Sequence, residues 1–247
     1  MEVLDIENII ARITDKVYAQ LEQTDARSQS ASDLACTIEH SLLNPDASAD
    51  MIRKGCEDAR MHGFANVCVS PYFVGMAAEL LSGSGVAVCT AIGFPHGAAS
   101  TRAKCTEIRE AIMNGATELD VSMMIVAAKS GDFEGVKKDL GEMVSVAGGR
   151  AKIKAIYEQG ILTEEEKEKV LCIAVQCGVD YIKISNALTG KKACVEDIKY
   201  VRSCIGEKIG IKIDGGIKDA AKVRELMAAG AQRFGCSASV QIVLGEK

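Results

Sequence analysis

Val179-Asp180-Tyr181-Ile182-Lys183-Ile184-Ser185 reads as a β-strand with a lysine near its C-terminal end. A near-continuous apolar run is what a parallel strand covered on both faces requires. Lysine is among the residues least often fully buried, so an ammonium inside such a run costs free energy unless something uses it. Two further runs repeat the oddity, Ala151-Lys152-Ile153-Lys154-Ala155-Ile156 and Ile209-Gly210-Ile211-Lys212-Ile213. A fourth, Glu118-Leu119-Asp120-Val121, adds a carboxylate. Three amines and one acid aimed into a single core make an unusual electrostatic arrangement, carried on strands that recur along the chain.

Outward from these runs, strand and helix patterns alternate from residue 33 on. The strands are expected at Ala35–Ile38, Asn66–Val69, Ala87–Ile92, Glu118–Val121, Lys152–Ile156, Tyr181–Ile184, Gly210–Ile213 and Arg233–Cys236. Helical periodicity falls between them, at 50–62, 72–81, 99–114, 133–147, 164–177, 195–204 and 219–229. Strands separated by helices in this way predict an α/β fold, a parallel (β/α)8 TIM barrel over residues 33–247. Gly63, Gly115, Gly178 and Gly230 recur two βα units apart, each closing a helix ahead of a strand, where glycine supplies the left-handed turn. A doubly wound sheet is the alternative, but no G-x-G-x-x-G follows any of these strands.

The chain has 247 residues, 48% of them hydrophobic, enough for one large core. No apolar run reaches the ~18 residues of a membrane span. The opening Met1-Glu2-Val3-Leu4-Asp5 lacks the basic region of a signal peptide. A net charge of −5 with scattered Lys and Arg argues against a nucleic-acid surface, and 4% aromatic content without Trp disfavours base or sugar stacking. Of the ten cysteines, Cys36, Cys68, Cys89 and Cys236 fall in expected strands and Cys56, Cys105 and Cys172 in helices. No C-x-x-C occurs and His40, His62 and His96 are isolated, so neither a zinc site nor a disulfide framework is expected. The expectation is a cytoplasmic protein with reduced thiols and no metal.

Residues 1–24 form a separate segment. Ile6, Ile9, Ile10, Ile13, Val17 and Leu21 recur at helical spacing, and the polar stretch 25–32 reads as a linker. The segment is either an N-terminal helix packed on the barrel or a detachable amphipathic docking helix. Short helices followed by a linker resemble the encapsulation peptides of bacterial microcompartment enzymes, which would make a microcompartment shell a partner. Assembly is left open, with a homodimer admitted.

Barrel active sites lie at the C-terminal ends of the strands. The polar residues expected there are Glu39, His40, Cys68, Ser70, Thr90, Asp120, Ser122, Lys154, Glu158, Lys183, Ser185, Lys212, Asp214 and Ser237. An amine must be neutral to attack a carbonyl, and burial and neighbouring cations both depress a lysine's pKa. Clustered lysines therefore suit Schiff-base chemistry, with Asp120 placed to shuttle protons. A single such lysine reads better as a salt-bridged structural residue; the set on neighbouring strands points to function. Asp214-Gly215-Gly216-Ile217-Lys218-Asp219 and Gly235-Cys236-Ser237-Ala238-Ser239 follow strands seven and eight, where barrels of this kind commonly hold a phosphate.

From about residue 34 on, the chain resembles the class I 2-deoxyribose-5-phosphate aldolases. The resemblance runs through Ile38-Glu39-His40-Ser41-Leu42-Leu43-Asn44-Pro45, Gly63-Phe64-Ala65-Asn66-Val67-Cys68-Val69-Ser70-Pro71 and Ile92-Gly93-Phe94-Pro95-His96-Gly97. It continues through Glu118-Leu119-Asp120, Lys152-Ile153-Lys154, Tyr181-Ile182-Lys183-Ile184-Ser185 and Ile211-Lys212-Ile213-Asp214-Gly215-Gly216. It implies Lys183 as the Schiff-base lysine, Lys212 as the lysine that lowers its pKa, and Asp120 as proton-relay partner. It implies Lys154 as a further active-site lysine and Cys68 as a cysteine facing the substrate. Glu39, Ser185, Gly215, Gly216, Lys218 and Ser237 complete the expected substrate-binding set. The implied reaction is cleavage of 2-deoxyribose 5-phosphate to glyceraldehyde 3-phosphate and acetaldehyde, with small sugar phosphates and aldehydes as partners and no cofactor beyond the covalent imine.

Four departures fall mainly on the phosphate side. Glu39-His40-Ser41 stands where the family usually has Asp-His-Thr, and Ile184-Ser185-Asn186-Ala187 where it has Thr-Ser-Thr-Gly. Lys218 replaces an arginine, and Ala238 the second of two serines. Lysine attracts phosphate as a point charge but lacks arginine's bidentate fork. The alternatives are therefore a lysine aldolase for another sugar phosphate or an unphosphorylated aldehyde, and a silent barrel serving as a scaffold.

Overall fold

The computed structural model describes residues 33–185 and 188–245. Eight strands, β1 (Ile38–Leu42), β2 (Asn66–Val69), β3 (Ala87–Ile92), β4 (Glu118–Ser122), β5 (Lys152–Glu158), β6 (Tyr181–Ser185), β7 (Gly210–Asp214) and β8 (Arg233–Cys236), close into a barrel in sequence order. Every pairing is parallel, and β8 seals against β1 with Glu39 opposite Gly235. The connections between strands carry α1 (Ala49–His62), α2 (Val74–Leu80), α3 (Thr101–Met113), α4 (Ile125–Lys129), α5 (Phe133–Ala147), α6 (Glu164–Cys177), α7 (Val195–Ile205) and α8 (Ala220–Ala228), and α9 (Ser239–Leu244) follows β8. Among the described residues no helix is long and apolar enough to cross a membrane.

Local signals explain where these helices begin and stop. Thr163 and Glu166 form a reciprocal capping box at the start of α6, satisfying two otherwise orphaned N–H groups. Gly178 ends the same helix in the left-handed conformation at φ 73°, as the glycine pattern predicts.

Strand alternation sorts the chemistry from the core. Leu119, Val121, Ile153, Ala155, Ile182, Ile184, Ile211 and Ile213 join the apolar layer beneath the helices. The residues between them, Asp120, Lys154, Lys183 and Lys212, point the other way, into the barrel. A one-residue slip in any of these strands would exchange the two sets, so the apolar layer itself fixes the lysines inside.

Several expectations need correction. The first strand lies at Ile38–Leu42, not Ala35–Ile38. Leu34 and Ala35 are buried, but in a helical turn in which the Thr37 N–H and hydroxyl both donate to the Leu34 carbonyl. Cys36 is accordingly exposed and outside any strand. Strands β4 to β7 run one or two residues further than the apolar runs, to Ser122, Glu158, Ser185 and Asp214. Apolarity ends where the barrel interior turns polar, while the hydrogen-bond ladder continues to the mouth. Helices α4 and α9 were not expected. The helix over 1–24 and the linker over 25–32 lie outside the described residues.

A second buried ion pair steadies one loop at the mouth. Lys104, wholly buried on α3, donates to Asp139 on α5 at 2.6 Å and to the carbonyls of Gly97 and Ser122 at 3.2 and 3.4 Å. Any side chain on Gly93 would collide with this lysine, at a residue whose φ of 61° also demands glycine. The loop so fixed carries Phe94, whose ring centroid stands 5.9 Å from the Lys183 ammonium.

Candidate active site

Four neighbouring strands bring the predicted lysines and aspartate together. Asp120 on β4 accepts from Lys183 on β6 at 2.9 Å and from Lys212 on β7 at 2.6 Å, both through Oδ2. Its other oxygen, Oδ1, accepts from the Cys89 thiol at 3.3 Å and lies 3.5 Å from the Lys154 ammonium. Glu39 on β1 bridges the far side, pairing with Lys154 at 2.8 Å and closely with Lys212. Asp120, Glu39 and Lys154 have no solvent exposure. Such charges persist in a core only because each is paired several times over.

Two further acids complete the cage. Glu118, one layer deeper, pairs with Lys154 at 2.6 Å, lies 3.6 Å from Arg233, and accepts from the Asn66 amide at 2.6 Å. Asp214, at the mouth end of β7, lies 3.1 Å from the Lys183 ammonium. Three ammonium groups thus face four carboxylates. This balance decides protonation. Burial pushes the Glu39 carboxyl up, but Lys154 and Lys212 outweigh it and hold the group down at about 2. Asp120 is likewise held well below the ordinary carboxylate range, with burial opposing and Lys183, Lys212 and Lys154 winning.

Lys183 departs from expectation. Burial does push its ammonium toward neutrality, and Lys212 adds to that push, but Asp120 and Asp214 outweigh both and raise the pKa. These acids therefore favour Lys183 as an ammonium, which would have to lose a proton before it could act as a nucleophile. Lys154 and Lys212 are raised as well, against burial, by the acids and thiols around them.

Cys68 faces the cage from β2, paired in register with Cys89 on β3. A hydrogen bond from Cys89 lowers the Cys68 pKa against the opposing effect of burial, whereas burial raises Cys89 well above the thiol range. Sequence reading did not single out Cys89. Among the described residues, Cys68, Cys89 and Asp120 put three donor atoms within 4.8 Å of one another, yet Asp120 is already engaged by two ammonium groups with which a cation would compete.

The expected phosphate loops border a cavity of about 440 Å³ whose lining includes Ser41, Asn44, Asp214, Gly215, Gly216, Lys218 and Ser237. Gly215 and Gly216 have φ of 112° and 68°, a backbone path that side chains resist. Lys218 and Ser237 are exposed at its rim. Ser185 is buried at the end of β6 and hydrogen-bonds Glu158, whose carboxyl is pushed up by burial. Asn186 and Ala187, the departures that follow Ser185, lie outside the described residues. Gly235 is a feature whose role sequence alone did not reveal. A Cβ there would sit 3.0 Å from the Asp214 Cβ and 3.6 Å from the Lys212 Cε, so its absence makes room for both.

A closed parallel barrel whose mouth presents a buried amine between two carboxylates, beside a glycine-lined cavity, is an arrangement suited to an enzyme acting on carbonyl carbon. The model of the DeoC/LacD family aldolases matches residues 33–242. A deoxyribose-phosphate aldolase of Brevibacillus brevis is 47% identical over 210 residues, covering 85% of this chain and 95% of that protein. One from Caldanaerobacter subterraneus is 41% identical over 219 residues, covering 88% and 95%. Among solved structures, the tetrameric deoxyribose phosphate aldolase of Aeropyrum pernix superposes with a TM-score of 0.81 at 27% identity, covering 91% of this chain and 95% of that one. The chain belongs to the DeoC/LacD family of aldolases.

Proposed function

We propose that this chain is a class I aldolase that reversibly cleaves 2-deoxy-D-ribose 5-phosphate to D-glyceraldehyde 3-phosphate and acetaldehyde. The observation that carries the reading is the Lys183 ammonium, held at 2.9 Å from Asp120 and 3.1 Å from Asp214 beside the open cavity, in a chain of this family. Lys183 attacks the sugar's aldehyde carbon to give an imine. The protonated imine then draws the electrons of the C2–C3 bond as that bond breaks, leaving an enamine on nitrogen and a new aldehyde on the phosphorylated fragment. Asp120 with Lys212, through water, moves the hydroxyl proton that this cleavage releases. Protonation of the enamine and hydrolysis free acetaldehyde. The sequence needs an amine, a relay and water, and no metal or redox group enters it.

Lys212 has two parts here. Its charge keeps Asp120 ionised, and its repulsion offsets some of the acids' hold on Lys183. Lys154, sealed between Glu39 and Glu118, neutralises the floor of the cage. The sugar's phosphate lies in the cavity against Gly215, Gly216, Ser237 and the Lys218 ammonium. Lys218→Ala should therefore raise KM for 2-deoxyribose 5-phosphate about fivefold while leaving unphosphorylated 2-deoxyribose unchanged, as expected for losing one exposed point charge (about 1 kcal/mol). Steady-state assays on the two sugars check this. Equal effects on both would move the phosphate elsewhere and favour an aldolase of another substrate.

Separately from the chemistry, we propose that residues 1–24 dock the protein to a bacterial microcompartment shell, the other reading being a helix packed on the barrel. Deleting that segment should leave kcat unchanged and abolish co-localisation with shell proteins. A fall in melting temperature with unchanged co-localisation would make the segment part of the barrel.

A further inference from the structure

Imine formation needs a base with somewhere to send its proton, and the cage contains two candidates with different surroundings. Asp120 has no exposure and both of its oxygens are engaged, Oδ2 by Lys183 and Lys212 and Oδ1 by Cys89 with Lys154 close behind. A carboxylate stabilised by three ammonium groups is a weak proton acceptor. Asp214 touches the same amine, at 3.1 Å, yet its side chain is 24% exposed and lines the cavity through which a substrate carbonyl arrives. Gly235 on β8 leaves space beside it, since a Cβ there would stand 3.0 Å from the Asp214 Cβ.

We infer that Asp214 is a second catalytic acid–base of this site, taking the proton that Lys183 must lose before attack and returning it to the carbinolamine hydroxyl. The inference rests on the Schiff-base reading above. The Lys183 ammonium passes one proton to the Asp214 carboxylate, leaving a neutral amine and a carboxylic acid. The amine lone pair forms the C–N bond, the carbonyl π pair moves to oxygen, and transfer of an amine proton to that oxygen gives the carbinolamine. Asp214 then protonates the hydroxyl, which departs as water while the nitrogen lone pair forms the C=N bond. The balance is one ammonium and one aldehyde in, one protonated imine and one water out, with Asp214 restored. The later proton transfers of carbon–carbon cleavage stay with Asp120 and Lys212, acting through water.

The test compares Asp214→Asn and Asp214→Glu with the unaltered enzyme on 2-deoxyribose 5-phosphate. It measures kcat, KM, the pH profile, and the rate at which borohydride traps the imine on Lys183. General acid–base catalysis of this kind is worth about 10²–10⁴-fold, so Asp214→Asn should lower kcat and the trapping rate about a hundredfold or more. Its residual rate should climb with pH as hydroxide substitutes for the missing base, and Asp214→Glu should recover part of the loss. A kcat, trapping rate and pH profile unchanged in Asp214→Asn would overturn the inference, as would an effect confined to KM, which would make Asp214 only a charge near the phosphate. Absence of any Lys183 adduct in the unaltered enzyme would instead overturn the Schiff-base reading itself.

Discussion

Lys183→Ala should abolish turnover of 2-deoxyribose 5-phosphate and leave the barrel folded. Removing a covalent nucleophile from a preorganised site costs about four to six orders of magnitude in kcat. Alanine cannot form the imine, and neither remaining lysine is placed to replace it. Lys154 is sealed between Glu39 and Glu118, and Lys212 is held by Glu39 and Asp120. The fold should survive because Asp120 still has Lys212, at 2.6 Å, and Lys154, at 3.5 Å, as partners, so no buried charge is stranded. Lys183→Arg is the sharper control. It keeps a cation between Asp120 and Asp214 but supplies no amine, and should be as inactive as alanine. Steady-state kinetics beside thermal unfolding separate the two consequences; appreciable activity in either variant would remove Lys183 from the chemistry.

Asp120→Asn has the opposite emphasis, with a large loss of stability as well as of activity. Asp120 is the carboxylate shared by Lys183, Lys212 and Lys154. Neutralising it leaves three buried cations with fewer partners, and breaking a buried pair in this way costs about 3–5 kcal/mol. For a chain of this size each kcal/mol is worth about 2–4 °C, so the midpoint should fall by about 6–20 °C near neutral pH. The effect must depend on pH. Asp120 and Glu39 both have folded-state pKa values below their ordinary ones, so their contribution is complete above the unfolded values and is lost as pH falls through the folded ones. For Glu39 that window runs from 4.5 down to about 2. The gap in melting temperature between the unaltered protein and Asp120→Asn should therefore be widest near neutrality and narrow as acid protonates the cage. A gap that stays constant with pH would mean that Asp120 stabilises by packing rather than charge.

Much of this site is legible in the sequence because burial makes lysine conspicuous. Lys154, Lys183 and Lys212 interrupt apolar strands, and the period of two that buries Ile182 and Ile184 beneath the helices necessarily turns Lys183 inward. Asp120 is found by the same reasoning. Asp214 and Glu118 were visible as residues but not as partners of these lysines. Asp214 follows the last apolar residue of its strand and reads as the start of a turn, while Glu118 precedes Leu119 and reads as a strand end. Which acid reaches which lysine depends on barrel closure and register, as when Asp120 is set opposite Lys154 and Lys183 opposite Lys212. Gly235 carries no local signal of its purpose, because the groups it makes room for belong to the neighbouring strand. The displaced first strand has a simpler cause. Leu34 and Ala35 are as buried as any strand residue, and periodicity over so short a run does not separate a strand from a helical turn. The pKa of Lys183 was read from its burial and its neighbouring cations alone, and its sign reversed once Asp120 and Asp214 were in contact.

The most direct test is reduction with borohydride in the presence of 2-deoxyribose 5-phosphate, followed by mass spectrometry of the peptides. Lys183 should carry the reduced adduct, as an ethyl group from the acetaldehyde imine or as the full deoxysugar phosphate, and Lys183→Ala should carry none. An adduct on Lys154 or Lys212, or no adduct with either the sugar phosphate or acetaldehyde, would contradict a Schiff-base mechanism centred on Lys183.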